Sequence, residues 1–433
     1  MDITIAPRLL KGRITPPPSK SQAHRALIAA ALAGGGSHIE NLADSQDIQA
    51  TSRCLAALCA PGSGLPLLDC GESGSTLRFL IPLSLVLRGG GRFTGRGRLM
   101  ERPQEPYFRL FEEKHVCYSL EAGVLTVRGA LPSGCYTLPG NVSSQFITGL
   151  LYALPLLEGD SDILLTTPLE SGGYVDMTLD VLERFGVRAV PNGSCAFHVP
   201  GGQTYRPHDM AIESDYSQAA FWYAARGLGS QVELQGLNPF SVQGDRCIVE
   251  DSASLCGPGE VELDVSQCPD LVPPLAVQAA LRPGQTTRIV GAARLRMKES
   301  DRLSAVTQVL NALGSRVEEH PDSLTILGVD TLAGGVAVDS HNDHRIAMMA
   351  AVATTRAAAP VTIRGAESVR KSYPNFWEDY QRLGGMFLWN ISFSASPTVP
   401  PLGWPWRVSP PASRWTWTSS PLKWPAGRPD RTP

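Results

Sequence analysis

The sequence lacks the features that mark membrane, exported and nucleic-acid-binding proteins. No run of about 18 apolar residues occurs, and residues 1–11 show neither the apolar segment of a signal peptide nor the Arg- and Ser-rich pattern of a transit peptide. The 433 residues include 38 basic and 41 acidic ones, so the basic excess typical of nucleic-acid binding is also absent. We therefore expect a cytoplasmic protein with neither a membrane nor a nucleic acid as its partner.

Recognisable metal, nucleotide and hydrolase motifs are missing as well. The nine cysteines occur singly, without Cys-x-x-Cys or zinc spacing, which favours small buried thiols in a reducing compartment. His341 and His344 have no partner cluster, so no metal site is expected. The turn at Gly71 is neither a Walker A loop nor Gly-x-Ser-x-Gly, and no Gly-x-Gly-x-x-Gly follows a strand near the N-terminus.

What the sequence does contain is a repeated helix start. A small polar or acidic residue, able to cap the free N–H groups of a first turn, opens a stretch rich in Ala, Leu and Met. The six starts are Ser19, Ser73, Ser143, Asp215, Asp270 and Asn342. The first three recur as the last three at offsets of 196, 197 and 199 residues. Two halves of three similar units are the simplest interpretation, although chance alignment of common cap residues remains open.

The segments between these starts predict strands and further helices. Strands are predicted over 123–128, 161–166 and 187–190, and helices over 177–186 and 303–314, the latter followed by a strand at 315–318. Lys298 is predicted to begin a helix and to share one face with Arg302. This pattern of strands and helices predicts an α/β protein.

Cations near the helix starts indicate anion binding. Helix N-termini carry partial positive charge and free N–H donors. Lys20 and Arg25 lie in the first predicted helix, Arg78 follows the turn at 71–76, and Arg345 follows Asn342-Asp343-His344. Arginine's planar fork suits phosphate and carboxylate groups. A solvated surface charge remains the alternative for any single arginine, and a surface salt-bridge ladder remains the alternative for segments 98–102 and 298–302.

A set of motifs, in order from about residue 3 to 385, resembles the enolpyruvylshikimate-phosphate synthase family. The motifs are Pro18-Ser19-Lys20-Ser21 with Arg25, Gly74-Ser75-Thr76 with Arg78, Glu101-Arg102-Pro103, Ser143-Ser144-Gln145-Phe146, Asp270, Lys298-Glu299-Ser300-Asp301-Arg302-Leu303 and Asn342-Asp343-His344-Arg345. The resemblance implies transfer of the enolpyruvyl group of phosphoenolpyruvate to the 5-hydroxyl of shikimate 3-phosphate, without metal or cofactor. It also implies a monomer whose lobes close on shikimate 3-phosphate.

The implied fold is a two-lobed inverse α/β barrel. Each lobe would hold three β-α-β-α-β-β units whose helix N-termini face the cleft between the lobes. Residues 1–18 with 213–385 would form lobe one, and residues 19–212 would form lobe two.

The resemblance also implies roles for individual residues. The expected catalytic residues are Asp270, Glu299 and Lys20. The expected shikimate 3-phosphate contacts are Lys20, Ser21, Arg25, Ser143, Ser144, Gln145, Ser171, Tyr174, Asp270 and Lys298. The expected phosphoenolpyruvate contacts are Lys20, Gly74, Arg78, Arg102, Gln145, Arg302, Arg345 and Lys371. Two cations beside Glu299 should lower its pKa, unless burial raises it into the range of an acid–base group.

Three positions depart from the family pattern. Glu72 stands where Asn is common and should repel a phosphate unless it is protonated or turned away, Ser75 replaces Thr, and Arg294 replaces Asn. Two rivals remain: the related enzyme that acts on a nucleotide sugar, and an inactive anion-binding protein on the same fold. Segment 98–102 lacks the loop cysteine of the former, and the intact Lys20 and Asp270 argue against the latter. A phosphate-cyclising relative would need a nucleophilic His that is not evident.

Residues 386–433 differ from the rest of the chain. They contain six of the eight tryptophans, ten of the 35 prolines, five basic residues and one acidic residue, with no helical or alternating pattern. We expect a disordered appendage or a non-native reading frame, with a partner-binding tail as the alternative. Without this segment the net charge changes from −3 to −7, so the body of the protein is acidic.

Overall fold

The computed structural model describes residues 1–390 and the backbone of Trp415 and Thr416. Twelve α-helices are described within this part of the chain: α1 (Lys20–Leu32), α2 (Gln46–Cys59), α3 (Gly74–Arg88), α4 (Glu105–Glu113), α5 (Ser144–Ala153), α6 (Gly172–Arg184), α7 (Tyr216–Gly227), α8 (Ile248–Ser254), α9 (Val272–Ala279), α10 (Arg302–Ala312), α11 (His344–Thr354) and α12 (Phe376–Arg382).

The strands of the same part of the chain are short, from two to five residues. They are β1 (Asp2–Ala6), β2 (Lys11–Ile14), β3 (His38–Glu40), β4 (Leu67–Asp69), β5 (Gly90–Thr94), β6 (Cys117–Glu121), β7 (Val124–Arg128), β8 (Gly134–Leu138), β9 (Ser161–Leu165), β10 (Val190–Pro191), β11 (Ala196–Val199), β12 (Met210–Ala211), β13 (Gln231–Leu234), β14 (Val261–Asp264), β15 (Thr286–Val290), β16 (Arg316–Glu319), β17 (Leu324–Leu327), β18 (Ala337–Asp339), β19 (Val361–Arg364), β20 (Met386–Asn390) and β21 (Trp415–Thr416).

Four sheets repeat one strand pattern. Their orders are β4-β5-β7-β6, β8-β9-β11-β10, β14-β15-β17-β16 and β18-β19-β1-β20. In each, a parallel pair linked through a helix is followed by antiparallel neighbours. Two smaller parallel pairings join β2 with β13 and β3 with β12, and β21 pairs antiparallel with β3. This is the repeated β-α-β-α-β-β plan, so the predicted α/β fold class is confirmed.

The buried apolar side chains fall into two clusters. One takes residues from Ile3 to Ile14 and from Tyr216 to Leu383, and the other runs from Ala23 to Ile212. The chain passes between the clusters twice. At this crossing the Ser19 N–H donates to the Glu213 backbone carbonyl at 2.7 Å, and the Asp215 N–H donates to the Pro17 carbonyl at 2.8 Å. The lobe boundaries predicted at 18/19 and 212/213 lie at this crossing, and as a division into domains they stay a prediction.

The helices alternate between interior and exterior positions. All eleven residues of α11 are buried, as are ten of the thirteen residues of α1, which is the behaviour of helices that are apolar all round. Helices α2, α4 and α6 bury only one face. Helices α3, α5, α7 and α9 are also largely buried, so the helices that start at or just after the six repeated positions are the interior ones.

Four of the six predicted caps are confirmed. The side chains of Ser19, Ser73, Ser143 and Asp215 each accept a first-turn N–H. The other two predictions were wrong in position. Helix α9 is preceded by the 3₁₀ turn Pro269–Leu271, because the carboxylate of Asp270 binds arginines instead of capping. Helix α11 is capped by Asp343, whose carboxylate accepts the Arg345 N–H at 2.9 Å.

Several local predictions need correction. The strand predicted over 187–190 is confined to β10, which begins at Val190. Lys298 has extended backbone and lies outside α10, because Asp301 is the residue that caps this helix. The ordered chain also continues beyond 385, since β20 pairs with β1 along its whole length. The expected disorder therefore fails for Met386–Asn390, and 391–433 lies outside the described residues apart from the β21 backbone.

The cysteines are all free thiols, but they are not all buried. Cys54, Cys70 and Cys268 are buried, whereas Cys117, Cys135, Cys195 and Cys256 are exposed. The expectation of buried thiols is therefore wrong for these four. Cys117 and Cys135 lie on β6 and β8, the edge strands of their sheets, where side chains alternate between core and solvent.

Candidate active site

The interior helices bring their N-terminal residues to one cleft between the two clusters. The cleft encloses about 940 Å³ of empty space, including open solvent at its mouth. Sixteen of the seventeen predicted site residues line it: Lys20, Ser21, Arg25, Gly74, Arg78, Arg102, Ser143, Ser144, Gln145, Ser171, Tyr174, Asp270, Lys298, Glu299, Arg302 and Arg345. Motifs that are far apart in sequence therefore share one surface.

The charge of the cleft is opposite to that of the protein body. Among the described residues, eight cationic side chains line it but only three carboxylates, those of Asp47, Asp270 and Glu299. Helix N-termini add further partial positive charge. The walls of the cleft therefore favour ligands that carry several negative charges.

Asp270 lies at the centre of the cationic network. Its Oδ1 accepts from Arg302 at 3.0 Å and lies 3.4 Å from the Lys298 ammonium, while its Oδ2 accepts from Arg345 at 2.9 Å. Burial alone would raise the pKa of Asp270, but Arg345, Lys298 and Arg302 together hold it well below its usual range. The group is therefore a carboxylate that accepts hydrogen bonds.

Glu299 is ionised in the same way. Its Oε2 accepts from Arg302 at 2.7 Å and its Oε1 lies 4.0 Å from Arg102. Burial favours the neutral acid, but Arg302 and Arg102 lower the pKa of Glu299 well below its ordinary value. Of the two outcomes expected for this side chain, the lowered pKa is therefore the one found.

Lys20 has a partner that the motifs do not contain. Its ammonium donates to Asp47 at 2.8 Å, and its backbone N–H donates to Asp215 at 3.0 Å. Burial lowers the pKa of Lys20, but Asp47 and Glu299 outweigh it and the net shift is upward. Lys20 therefore keeps its proton at neutral pH.

A second group of contacts fixes the wall formed by α1, α3 and α5. Arg78 donates to Gln145 Oε1 at 2.7 Å, and Gln145 donates to Ser75 at 3.0 Å. Arg25 donates to the Ser21 backbone carbonyl, one helical turn earlier, at 2.7 Å. Ser75, which replaces the Thr of the family pattern, therefore keeps a hydroxyl in this network.

Gly74 lies directly against the guanidinium of Arg102. A Cβ added to Gly74 would lie 2.6 Å from Nη1 of Arg102. The guanidinium of Arg102 is buried against this glycine and its Nε has no hydrogen-bond partner among the described residues. The glycine therefore makes room for one of the cleft cations.

The two charged departures from the family pattern both form ion pairs that join residues 19–212 to residues 213–385. Arg294 lines it and binds Glu170 at 2.6 Å. Glu72 binds the ammonium of Lys371 at 2.6 Å, so its carboxylate is directed towards a cation rather than towards the cleft. Lys371, the seventeenth predicted residue, is absent from the cleft lining for the same reason.

The sequence did not indicate several lining residues, among them Asp47, Phe79 and Met297. Asp245 was also missed: it is buried behind the cleft and accepts from Tyr174 at 2.8 Å. Asp47 follows the cap Ser45, but a carboxylate in a first turn is too common to mark a site. His344 is buried and lines the cleft, and neither ring nitrogen has a hydrogen-bond partner among the described residues. The sequence placed His344 in the motif 342–345 but gave it no role.

The described helices include none that is long and apolar enough to cross a membrane. Residues 5–380 match the family described as EPSP synthase (3-phosphoshikimate 1-carboxyvinyltransferase). Curated proteins named 3-phosphoshikimate 1-carboxyvinyltransferase from Clostridium kluyveri and Clostridium perfringens are 46% and 45% identical to the chain. The alignments cover 88% and 89% of the chain and 97% and 98% of those proteins.

Solved structures show the same relationship in three dimensions. An EPSP synthase from Acinetobacter baumannii aligns with a TM-score of 0.73 at 25% identity, covering 90% of this chain and 100% of that one. An enolpyruvyl transferase from Streptomyces tendae aligns with a TM-score of 0.71 at 17% identity, over 89% and 98% of the two chains, and shows the shared fold alone.

Proposed function

The chain belongs to the EPSP synthase (3-phosphoshikimate 1-carboxyvinyltransferase) family, and from this we infer that it is a transferase of aromatic amino acid biosynthesis. It transfers the enolpyruvyl group of phosphoenolpyruvate to the 5-hydroxyl of shikimate 3-phosphate and releases phosphate. The observation that carries this inference at the level of the site is the convergence of sixteen predicted residues on one cationic cleft. We further propose that the protein acts as a cytoplasmic monomer.

The proposed ligand positions follow from the family resemblance and from the residues that line the cleft. Ser143, Ser144, Ser171 and Tyr174 supply hydroxyls and N–H groups for the phosphate of shikimate 3-phosphate, and Ser21, Arg25, Gln145, Asp270 and Lys298 contact its remaining groups. Arg78, Arg102, Arg302 and Arg345, with Lys20, Gly74 and Gln145, surround phosphoenolpyruvate. Planar guanidinium groups suit its carboxylate and phosphate.

The proposed reaction is an addition followed by an elimination. In the addition, the 5-hydroxyl oxygen bonds to C2 of phosphoenolpyruvate, its proton passes to the Asp270 carboxylate, and C3 gains a proton from the Lys20 and Glu299 pair. In the elimination, C3 loses a proton to the same pair, the C2–O bond to phosphate breaks, and the departing phosphate takes the proton held by Asp270. The arginines stabilise the charge that develops on the departing phosphate.

The pKa directions assign the starting protonation states. The raised pKa of Lys20 keeps its proton available, and the lowered pKa values of Asp270 and Glu299 leave both as acceptors. Bound substrate anions compete with Glu299 for Arg102 and Arg302. Their arrival therefore raises the pKa of Glu299 towards the range of an acid–base group.

The test is phosphate release by purified protein given shikimate 3-phosphate and phosphoenolpyruvate. We expect release only when both are present, and none when a UDP-linked amino sugar replaces shikimate 3-phosphate. Binding of both substrates without release would favour the inactive anion-binding protein. Release with the nucleotide sugar alone would favour the related transferase.

A further inference from the structure

Glu72 takes part in a three-residue contact that joins the lobes. Its Oε2 lies 2.6 Å from Nζ of Lys371 and accepts from Nδ2 of Asn342 at 3.1 Å. The Lys371 ammonium also donates to the Asn342 carbonyl at 2.5 Å. Glu72 lies on the turn before α3, whereas the other two residues lie 270 and 299 positions further along the chain. We call this set the Glu72 tie.

The position of the Glu72 carboxylate is supported by its surroundings. A Cβ on Gly97 would lie 2.8 Å from Glu72 Oε2, and Gly97 has a φ of +54°, so this glycine leaves room for the carboxylate. The Lys371 side chain is only 5% exposed, compared with 27% for that of Glu72. A cation so deeply buried needs its ion-pair partner, because an unpaired buried charge is strongly disfavoured.

Lys371 differs from the other expected phosphoenolpyruvate cations. Arg102, Arg302 and Arg345 line the cleft, whereas Lys371 and Glu72 do not. The Glu72 tie instead lies beside two helix starts: Asn342 precedes Asp343, the cap of α11, and Glu72 precedes Ser73, the cap of α3. It therefore holds the helix start that carries Gly74 and Arg78 against the helix start that carries Arg345.

We propose that Glu72 is a positioning residue for phosphoenolpyruvate, which acts by pairing with Lys371 and holding the starts of α3 and α11 together. In this proposal, which rests on the proposed function, Lys371 serves phosphoenolpyruvate binding through Glu72 and not by direct contact. The carboxylate at position 72 is therefore a favourable substitution and not a source of repulsion.

The test is a double-mutant cycle with Glu72→Gln, Lys371→Met and the double variant, and with KM and kcat measured for each substrate. We expect each single variant to raise the KM for phosphoenolpyruvate by about tenfold and the double variant to be no worse than either. The KM for shikimate 3-phosphate should change less than threefold. The reversed pair, Glu72→Lys with Lys371→Glu, should recover most of the loss.

A matched control is Glu262→Gln, which removes a carboxylate from the exposed 3.0 Å pair with Arg288 inside one lobe. It should leave every constant unchanged. The proposal is overturned if Glu72→Gln lowers the KM for phosphoenolpyruvate while Lys371→Met raises it, since Lys371 would then bind the ligand directly. Additive effects of the two single variants would overturn it equally.

A readout without substrates separates this proposal from the proposed function. In the ligand-free protein, hydrogen exchange at the backbone N–H groups of 73–78 should be faster in Glu72→Gln than in the wild type, and unchanged in Glu262→Gln. Faster exchange in a protein that releases no phosphate would leave the tie intact and refute the function. Unchanged exchange in an active enzyme would refute the tie alone.

Discussion

Neighbouring groups fix the orientation and the charge of individual cleft side chains in the ligand-free protein. Arg302 is the clearest case: its guanidinium is 1% exposed and contacts Asp270, Glu299 and Asp343 together. Burial disfavours its charge, but these carboxylates raise its pKa above the ordinary arginine value. One buried cation thus fixes the orientation of both proposed acid–base carboxylates.

Glu299→Gln tests the acid–base assignment. The amide keeps the size of the side chain but can neither accept nor return a proton, so we expect kcat to fall by roughly 100-fold or more. Binding of shikimate 3-phosphate, measured by calorimetry, should remain near the wild-type value. Normal turnover in this variant would remove Glu299 from the mechanism.

Asp245→Asn tests the buried carboxyl behind the cleft. Burial first, and then repulsion from Asp270, raise the pKa of Asp245 to about 7. Because the folded protein holds this proton more tightly than the unfolded chain, Asp245 favours folding at low pH and loses that contribution as pH rises from about 4 to 7.

The wild type should therefore lose stability between pH 5 and pH 8, whereas Asp245→Asn should not. Over this range the free energy of unfolding of Asp245→Asn, measured by urea titration, should rise relative to that of the wild type by about 1 kcal/mol or more. The exposed control Asp322→Asn should show no such trend. A difference between Asp245→Asn and the wild type that stays constant with pH would contradict the raised pKa.

At the scale of elements, the caps were the most predictable feature and the loops the least. Ser19, Ser73, Ser143 and Asp215 could be assigned because a helix start satisfies its N–H groups with a neighbouring side chain. Asp270 and Asn342 were misplaced because contacts from distant elements override the local pattern. Asp47 and the partner of Glu72 could not be predicted, since α2 and segment 366–371 approach only in the folded chain.

Gly74→Ala tests the packing at the start of α3. The added methyl would overlap the Arg102 guanidinium, so we expect that cation to move and the KM for phosphoenolpyruvate to rise about tenfold. Gly62→Ala is the control, because the nearest atom to its added Cβ is the end of the Arg88 side chain at 3.8 Å. An unchanged KM in Gly74→Ala would show that Arg102 does not need this space.

Two truncations test where the folded chain ends. Ending the chain after Gly385 removes β20, its pairing with β1 and the packing of Phe387 and Trp389 on Trp377, and should lower the Tm by about 5 °C. Ending it after Asn390 should keep both the Tm and turnover. A comparable fall in the Tm of the protein that ends after Asn390 would mean that residues 391–433 contribute to folding.

At the scale of the whole molecule, two cores meet at a cleft whose charge opposes that of the surrounding protein. The two halves of three units followed from the repeated starts and their offsets, the α/β class followed from the strands and helices predicted between them, and the two-lobed barrel followed from the family resemblance. The ion pairs that join the two cores did not follow from the sequence, since Glu72 with Lys371 and Glu170 with Arg294 join segments more than 100 residues apart. Sequence patterns reflect the requirements of local structure, and ion pairs between distant segments leave no such pattern.

The central claim is that this cleft joins the two substrates by addition and elimination, and running the reaction in D₂O tests it most directly. Protonation at C3 creates a transient methyl group that contains one solvent deuteron, and elimination then removes one of its three hydrogens. We expect mass spectrometry to find deuterium in the vinyl group of the product, with one phosphate released for each product formed. A product without vinyl deuterium, or phosphate release without product, would contradict the account.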